Sequence, residues 1–399
     1  MDKTVFSYTD TLDTDLTRKN YTRAIKMLED NVVRFECYQK PVLTTGKGYP
    51  GIWLEHNHDS LFFADISPEI AMNSHRIFYD FQAEDGLFPA YICKWPHQEA
   101  YRIGYGHMQT VYPLAASALE VAMIAKNEEF LADSYKACAK YDDWIVKYRN
   151  TRGTGLVEVF CGFDTGHDNS SRIADIPKVC PRGDARVCCN NESLPMIAPD
   201  LSAMLYRARL ALADMAEVMG RINERDMWLE KAQSVKENLV KYCYDEVDEF
   251  FYDLDRQGNL RKYVAEHIFR LFLNHAIDKD IFEKIYNRYI ISSEHFNSKY
   301  PFASVSVSAP YFNIDLYENN WNGKTQMHTV LETLFWMEHY GKGEEHISFM
   351  RMWLDLMNKS DMVCSQEADP FTGEFSTKAP AFSTTFVAYT QFAKKLGII

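Results

Sequence analysis

The sequence predicts an all-α protein built as a double ring of paired helices, on three observations. About eleven segments carry apolar residues at helical spacing, they fall into antiparallel pairs joined by turns, and strand-like alternation is confined to short pieces. Twelve helices in 399 residues would allow roughly 33 residues per helix plus loop, as in a ring of helical hairpins. Helical period alone does not separate such a toroid from a stacked helical solenoid.

Taken in order, the first helix is expected over about 18–36. The next opens at "SPEIA", where Ser67 caps, Pro68 takes the first turn and Glu69 complements the helix dipole. Helices are then expected over 108–126 and 129–148. The clearest stripe runs through Leu201, Leu205, Ala208, Leu212, Met215, Ala216 and Met219, with Gly220 at the C-terminal cap position. Its partner, 224–243, repeats the pattern with Trp228, Ala232, Val235, Leu239 and Cys243. Further helices are expected over 264–275, 279–290, 325–340, 344–358 and 382–396. The alternating pieces are "EFFYDLD" (249–255) and "SVSVSA" (304–309). With no Pro-, Gly- or Ser-rich linker and no strict repeat, residues 1–399 read as one domain.

The net charge of −13, without a block of lysines or arginines, argues against a nucleic-acid partner. No stretch reaches the ~18 apolar residues of a membrane span, and the first twenty residues lack the apolar core of a signal peptide. A soluble, cytoplasmic protein is therefore expected. Nine scattered cysteines suit a reducing compartment. Cys180, Cys188 and Cys189 lie in "CPRGDARVCC", which reads as an exposed loop, and their spacing fits no standard zinc knuckle. No metal or cofactor is expected.

The chemistry gathers in the loops. Segments 48–65, 82–92, 101–109, 162–172, 317–326 and 364–375 mix Trp, Tyr, His, Asn, Asp and Gly. Flat rings beside amides and carboxylates suit a sugar, whose C–H faces pack on the rings while its hydroxyls find directed partners. Two loops carry acids: "GFDTGHDNSSR" (162–172) holds Asp164 and Asp168, and "CSQEADPFTGEF" (364–375) holds Glu367 and Glu374. Two acids on separate loops are the minimum equipment for hydrolysing a glycosidic bond.

These loops resemble, in order, the motifs of inverting glycosidases on an (α/α)6 barrel, chiefly glycoside hydrolase family 63 and the related trehalases of family 37. "GHDNSSR" is similar to the acid motif of that group, which implies Asp168 as general acid and Arg172 as a sugar contact. "WLEHNHDSLF" resembles the Trp-Asp-Ser segment and implies that Asp59 lines the −1 subsite. "HMQTVYPLA" matches a Gln-Pro-Pro segment through Gln109, and "NNWNGKTQ" matches a Trp-Asn-Gly loop through Trp321, Asn322 and Gly323. In that loop Lys324 replaces the usual proline and Gln326 a second tryptophan. Trp53 and Trp321 are candidate sugar platforms. The resemblance runs from about residue 48 to the end; its motifs are individually weak, and their shared order carries the assignment.

The base motif of the family is Glu-x-Tyr-Asp/Asn-Pro-x-Thr-Gly-Glu, with the base four residues before proline. Counting back from Pro370 reaches Gln366, an amide, with Glu367 one residue on and Ala368 in place of the tyrosine. Three explanations are open: a one-residue shift that makes Glu367 the base, natural amidation at 366, or deliberate replacement of a glutamate to trap substrate. The Pro370 anchor favours an altered base at 366, because glutamine keeps the shape of glutamate without its basicity.

The implied activity is inverting, exo-acting hydrolysis of a small α-glucoside or α-mannoside, either a disaccharide or a glycosylated small acid. Arg172 and Lys324 suggest an anionic aglycone such as glycerate. The rival enzyme is a sugar epimerase or isomerase on a helical toroid, working through His56, His58, His107 and His328. A carbohydrate-binding homologue without turnover is the non-enzyme alternative.

Overall fold

Which sides a helix buries decides its place in this molecule. The structure, a computed structural model, describes residues 5–6, 8–316 and 319–399. Among them are twelve α-helices: α1 (Thr14–Asp30), α2 (Asn57–Phe63), α3 (Pro68–Asp80), α4 (Leu114–Ala125), α5 (Glu128–Tyr148), α6 (Pro199–Val218), α7 (Ile222–Cys243), α8 (His267–Leu273), α9 (Lys279–Ile285), α10 (Met327–Trp336), α11 (Gly343–Lys359) and α12 (Ser383–Lys395). The even-numbered helices pack in sequence order, and α12 returns to α2 to close an inner ring. Outside it, α3 bridges α2 and α4, α5 bridges α4 and α6, α7 lies on α6, and α1 and α11 lie on α12. This is an (α/α)6 barrel.

The division follows from sequence. Every residue of α8 from His267 to Leu273 is buried, as an inner helix with neighbours on all sides requires. By contrast α1 buries only Thr17, Asn20, Ala24 and Leu28. α7 buries the predicted stripe Trp228, Ala232, Val235, Leu239 and Cys243. Ser67 caps α3 by accepting from the Ile70 N–H. Gly220, at φ +72°, stands directly after the C-cap residue of α6, Met219.

Several expected boundaries move. The first helix stops at Asp30, and Val32–Phe35 instead forms a strand paired with Tyr38–Leu43; its β-branched and aromatic residues prefer that ladder. α4 begins only after Pro113, which occupies the N-cap rather than an interior position where its ring would clash. In the 48–65 loop α2 was not expected: seven residues that open with Asn57, His58, Asp59 and Ser60 show no apolar stripe at helical spacing. Residues 304–309 form no strand, only an isolated bridge at Val305. In 249–255 two short strands, Phe250–Phe251 and Asp253–Leu254, pair with different partners.

Two small sheets matter for function. Gly51–Trp53 pairs with Tyr91–Cys93, which pairs with Arg102–Gly104, and Thr325–Gln326 pairs with Glu367–Ala368. No described helix is long and apolar enough to cross a membrane. All nine cysteines are free thiols; Cys180 and Cys189 are buried and Cys188 half-buried, so that loop is less exposed than its composition suggests.

Candidate active site

The loop that carries Asp168 is pinned at both ends by buried ion pairs. At its start, Asp164 accepts from Arg149 Nη1 at 2.5 Å and from the backbone N–H groups of Phe160, Cys161 and Met108. Burial pushes the Asp164 carboxyl up, but the Arg149 charge and these donors outweigh it and hold the group below its ordinary range. Asp164 is therefore an anchor and no rival as the acid. At the other end, Arg172 spends all five N–H groups: two on Asp253, two on Asp200 and one on His167 Nδ1. Its side chain is 0% exposed. This corrects the expectation that Arg172 touches sugar, and the sequence offered no sign of its two carboxylate partners, 28 and 81 residues away.

Between these anchors Asp168 faces a cavity. An outer bowl of about 540 Å³ is bordered by Tyr49, Trp53, Gln109, Asp168, Asn319 and Gln366, and the same six residues border an inner recess of about 40 Å³. The recess adds Glu55, His56, Gly166, Trp321 and Phe382. Burial first, then the nearby Glu55 carboxylate, pushes the Asp168 carboxyl up to about 7. Such a group still holds a proton near neutrality, as a general acid must.

Glu55 was missed by the sequence reading. It lies in a short 3-10 turn between the strand Gly51–Trp53 and α2. Its Oε1 accepts from Gln109 Nε2 at 2.8 Å, and Gln109 is held in turn by His107. Gln109 has φ +46°, a strained conformation for a residue with a side chain, of the kind found at functional sites. Beside Glu55, His56 stands 3.4 Å from Asp59 Oδ2 and 3.2 Å from His328. Burial opposes charge on His56, but the two carboxylates win and raise it to about 9. His58 and His107 are both lowered by burial. Asp59 borders neither cavity: buried on α2, it accepts from Thr384 and supports His56 from beneath, which corrects its placement as a lining residue.

The loop 319–326 divides similarly; its expected partners 317 and 318 lie outside the described residues. Trp321 borders the recess, packed on His167 at 4.8 Å. Asn322 and Gly323 do not border it. Asn322 braces the acid loop by accepting from the Ser171 N–H, and Gly323 sits where a Cβ would come to 2.8 Å of the Asn313 backbone.

At the base position, the Gln366 side chain borders both cavities, with Oε1 2.6 Å from the Tyr49 hydroxyl. Glu367 also borders the bowl, but its carboxylate is occupied. It accepts from the Asn320 N–H at 2.7 Å and from Gln326 Nε2 at 3.1 Å, and pairs with Lys324 at 3.4 Å. Lys324 and Gln326 are the two departures from the family loop, and both serve Glu367. Lys324 therefore offers an incoming anion no free charge, correcting that expectation together with Arg172.

Among the described residues, one group of metal-ligand atoms converges, from Cys161, Asp164 and Cys180. A cation there would have to displace Arg149 from Asp164.

The ring of helices and its acid-bearing pocket define a glycoside hydrolase of the (α/α)6 class. The chain belongs to the mannosylglycerate hydrolase MGH1-like glycoside hydrolase domain family, whose model matches residues 49–386. Its fold is similar to that of the GH63 mannosylglycerate hydrolase from Thermus thermophilus in complex with Tris and D-glycerate, at TM-score 0.72 and 16% identity over 94% of this chain and 99% of that one. The same hydrolase in complex with glucose gives 0.71 and 16% over the same shares. Neutral trehalase Nth1 from Saccharomyces cerevisiae gives 0.70 and 14% over 93% of this chain and 79% of its own. No match was found among curated proteins.

Proposed function

We propose that the chain is built for inverting, exo-acting hydrolysis of a small α-mannoside or α-glucoside with a small acid or sugar as aglycone. The observation that carries this reading is Asp168: a carboxyl raised to about 7 on the cavity wall, with the side chain of residue 366 bordering the same space. Asp168 protonates the glycosidic oxygen while a water on the opposite face attacks the anomeric carbon and gives its proton to the base. Trp53 offers a ring face to the sugar, and Gln109 and Glu55 offer directed polar contacts. The narrowing from the bowl to a small recess bordered by His56 and Phe382 supports removal of a terminal unit rather than cleavage within a chain. Support for an acidic aglycone comes from D-glycerate bound to the Thermus hydrolase. With Gln366 in place the water has no base, and the chain binds substrate but turns it over slowly.

The test is a paired assay of this protein and Gln366→Glu on mannosylglycerate, glucosylglycerate and trehalose, with the product anomer followed by NMR. Turnover that appears or rises at least ~100-fold with glutamate, giving the inverted anomer first, supports the reading. Full activity in the glutamine form, abolished by Glu367→Ala, would place the base at 367 instead. Binding without turnover in either form would leave a carbohydrate-binding protein.

A further inference from the structure

The acid and the base position are joined by an unbroken chain of polar groups. Asn319 Nδ2 lies 3.0 Å from Asp168 Oδ2, and Asn319 Oδ1 lies 2.5 Å from the Tyr49 hydroxyl. That hydroxyl is in turn 2.6 Å from Oε1 of Gln366. Tyr49 and Asn319 both border the cavity, and neither was singled out in the sequence.

A phenol has one hydrogen, so Tyr49 donates to Asn319 or to residue 366, never to both. Each terminal amide can present oxygen or NH₂ by a half-turn. Two arrangements satisfy the chain. In one, residue 366 donates to Tyr49, Tyr49 donates to the Asn319 carbonyl, and the Asn319 NH₂ donates to Asp168. In the other, every bond is reversed: Tyr49 donates to residue 366, Asn319 donates to Tyr49, and the Asn319 carbonyl faces Asp168. The first favours an ionised Asp168 and the second a protonated one.

Resting on the catalytic reading above, we propose that Tyr49 and Asn319 are positioning residues forming a relay that reverses its hydrogen-bond direction each time the acid and the base at 366 exchange protonation states. Before reaction a glutamate at 366 is ionised and can only accept, which turns the Asn319 carbonyl toward Asp168 and keeps the proton there. During turnover Asp168 gives its proton to the leaving oxygen, and the glutamate receives one from the attacking water. The glutamic acid can now donate and the aspartate can only accept, so the opposite arrangement fits both ends. No proton travels through the amide; only the hydrogen bonds turn, and the proton balance is that of hydrolysis. The Asn319 NH₂ is directed at Asp168, as in the product-state arrangement, while Gln366 presents Oε1 to Tyr49; a half-turn of its amide would bring the NH₂ there and let glutamine stand in for the protonated glutamic acid.

The charged and titratable groups that face Asp168 are Glu55 from the turn after Gly51–Trp53 and Lys178 from its own loop, with Tyr49 beyond Asn319. Glu367, next to Gln366 in sequence, is paired with Lys324. A glutamate at 366 would therefore raise Asp168 through space as well as through the relay, and the test must separate the two.

The experiment is titration of Asp168 by the ¹³C shift of its labelled carboxyl, without substrate, in this protein, Gln366→Glu, Tyr49→Phe and the double variant. The relay predicts that glutamate raises the midpoint by ~1 unit or more with Tyr49 present, and by less than half as much with phenylalanine. Asn319→Ala replaces Tyr49→Phe if the latter does not fold, with the same expectation. Equal rises in both backgrounds would overturn the relay and leave only direct repulsion. Because the readout is substrate-free, it is independent of the activity assay. Coupling without turnover in Gln366→Glu would remove the catalytic reading while the relay stands; turnover without coupling would remove the relay alone.

Discussion

Glu55 lies against the backbone of Gly166. A Cβ at position 166 would come to 2.5 Å of Glu55 Oε2, and Gly166 adopts φ +69°. Glycine therefore lets a second carboxylate rest on the acid loop two residues from Asp168, where its charge helps keep the acid protonated.

The basic limb of kcat/KM for Gln366→Glu should lie above pH 7, because Asp168 must be protonated to act and its carboxyl, at about 7 beside glutamine, is raised further beside a glutamate. Adding Glu55→Gln removes a charge that raises Asp168, so the limb should move to lower pH. A pH–rate profile of the two proteins checks this, and an unmoved limb would remove Glu55 from the tuning of the acid.

Asp168→Asn should lower turnover of Gln366→Glu by ~10²–10⁴-fold. It should also change stability with a definite sign. The folded carboxyl titrates near 7 against an ordinary 3.8, so its contribution is present in acid and lost as pH rises through 7. Asparagine has no charge to bury, and should therefore stabilise by about 4 kcal/mol at pH 8 and by little at pH 4. Urea unfolding at the two pH values reads the difference.

Azide needs no base, since it attacks without losing a proton. The protein as it stands should therefore convert an activated aryl α-glycoside to the β-glycosyl azide at a rate that grows with azide concentration. Gln366→Glu should show little of this product. Chromatography of the products decides, and equal azide product from both forms would move the base away from 366.

Arg172→Leu leaves Asp200 and Asp253 without their shared partner in the interior, at a cost of ~3–5 kcal/mol. Thermal unfolding should show the loss directly. A sugar contact would behave differently, with KM raised and stability intact.

Trp53→Ala removes an aromatic face that borders both parts of the cavity. KM should rise ~10-fold, as expected for the loss of ~1–1.5 kcal/mol of ring contact, with kcat less affected. If glutamine at 366 blocks turnover, calorimetric titration of this protein gives the same quantity as a Kd.

Amphipathic spacing alone located the outer helices, because each must bury one stripe: the Trp228 to Cys243 pattern is the buried face of α7. The order of the loop motifs identified Asp168, Trp53, Gln109, Trp321 and Gln366, all of which border the cavity. α2 escaped because it is only seven residues long and opens with four polar ones, Asn57 to Ser60, so it shows no apolar stripe. Which loop residues face the cavity and which brace it was settled by folding. Arg172, Asp59, Asn322 and Gly323 all lie in motifs that read as sugar-binding, yet their partners come from distant segments and turn them inward. Glu55 and Asn319 lie inside motif segments that give them no role, Tyr49 lies four residues before one, and all three became neighbours of the acid only when the ring closed. Spacing along the chain records local periodicity and order; it cannot record which charges meet across a barrel, and that meeting sets both the proton affinity of Asp168 and the surroundings of residue 366.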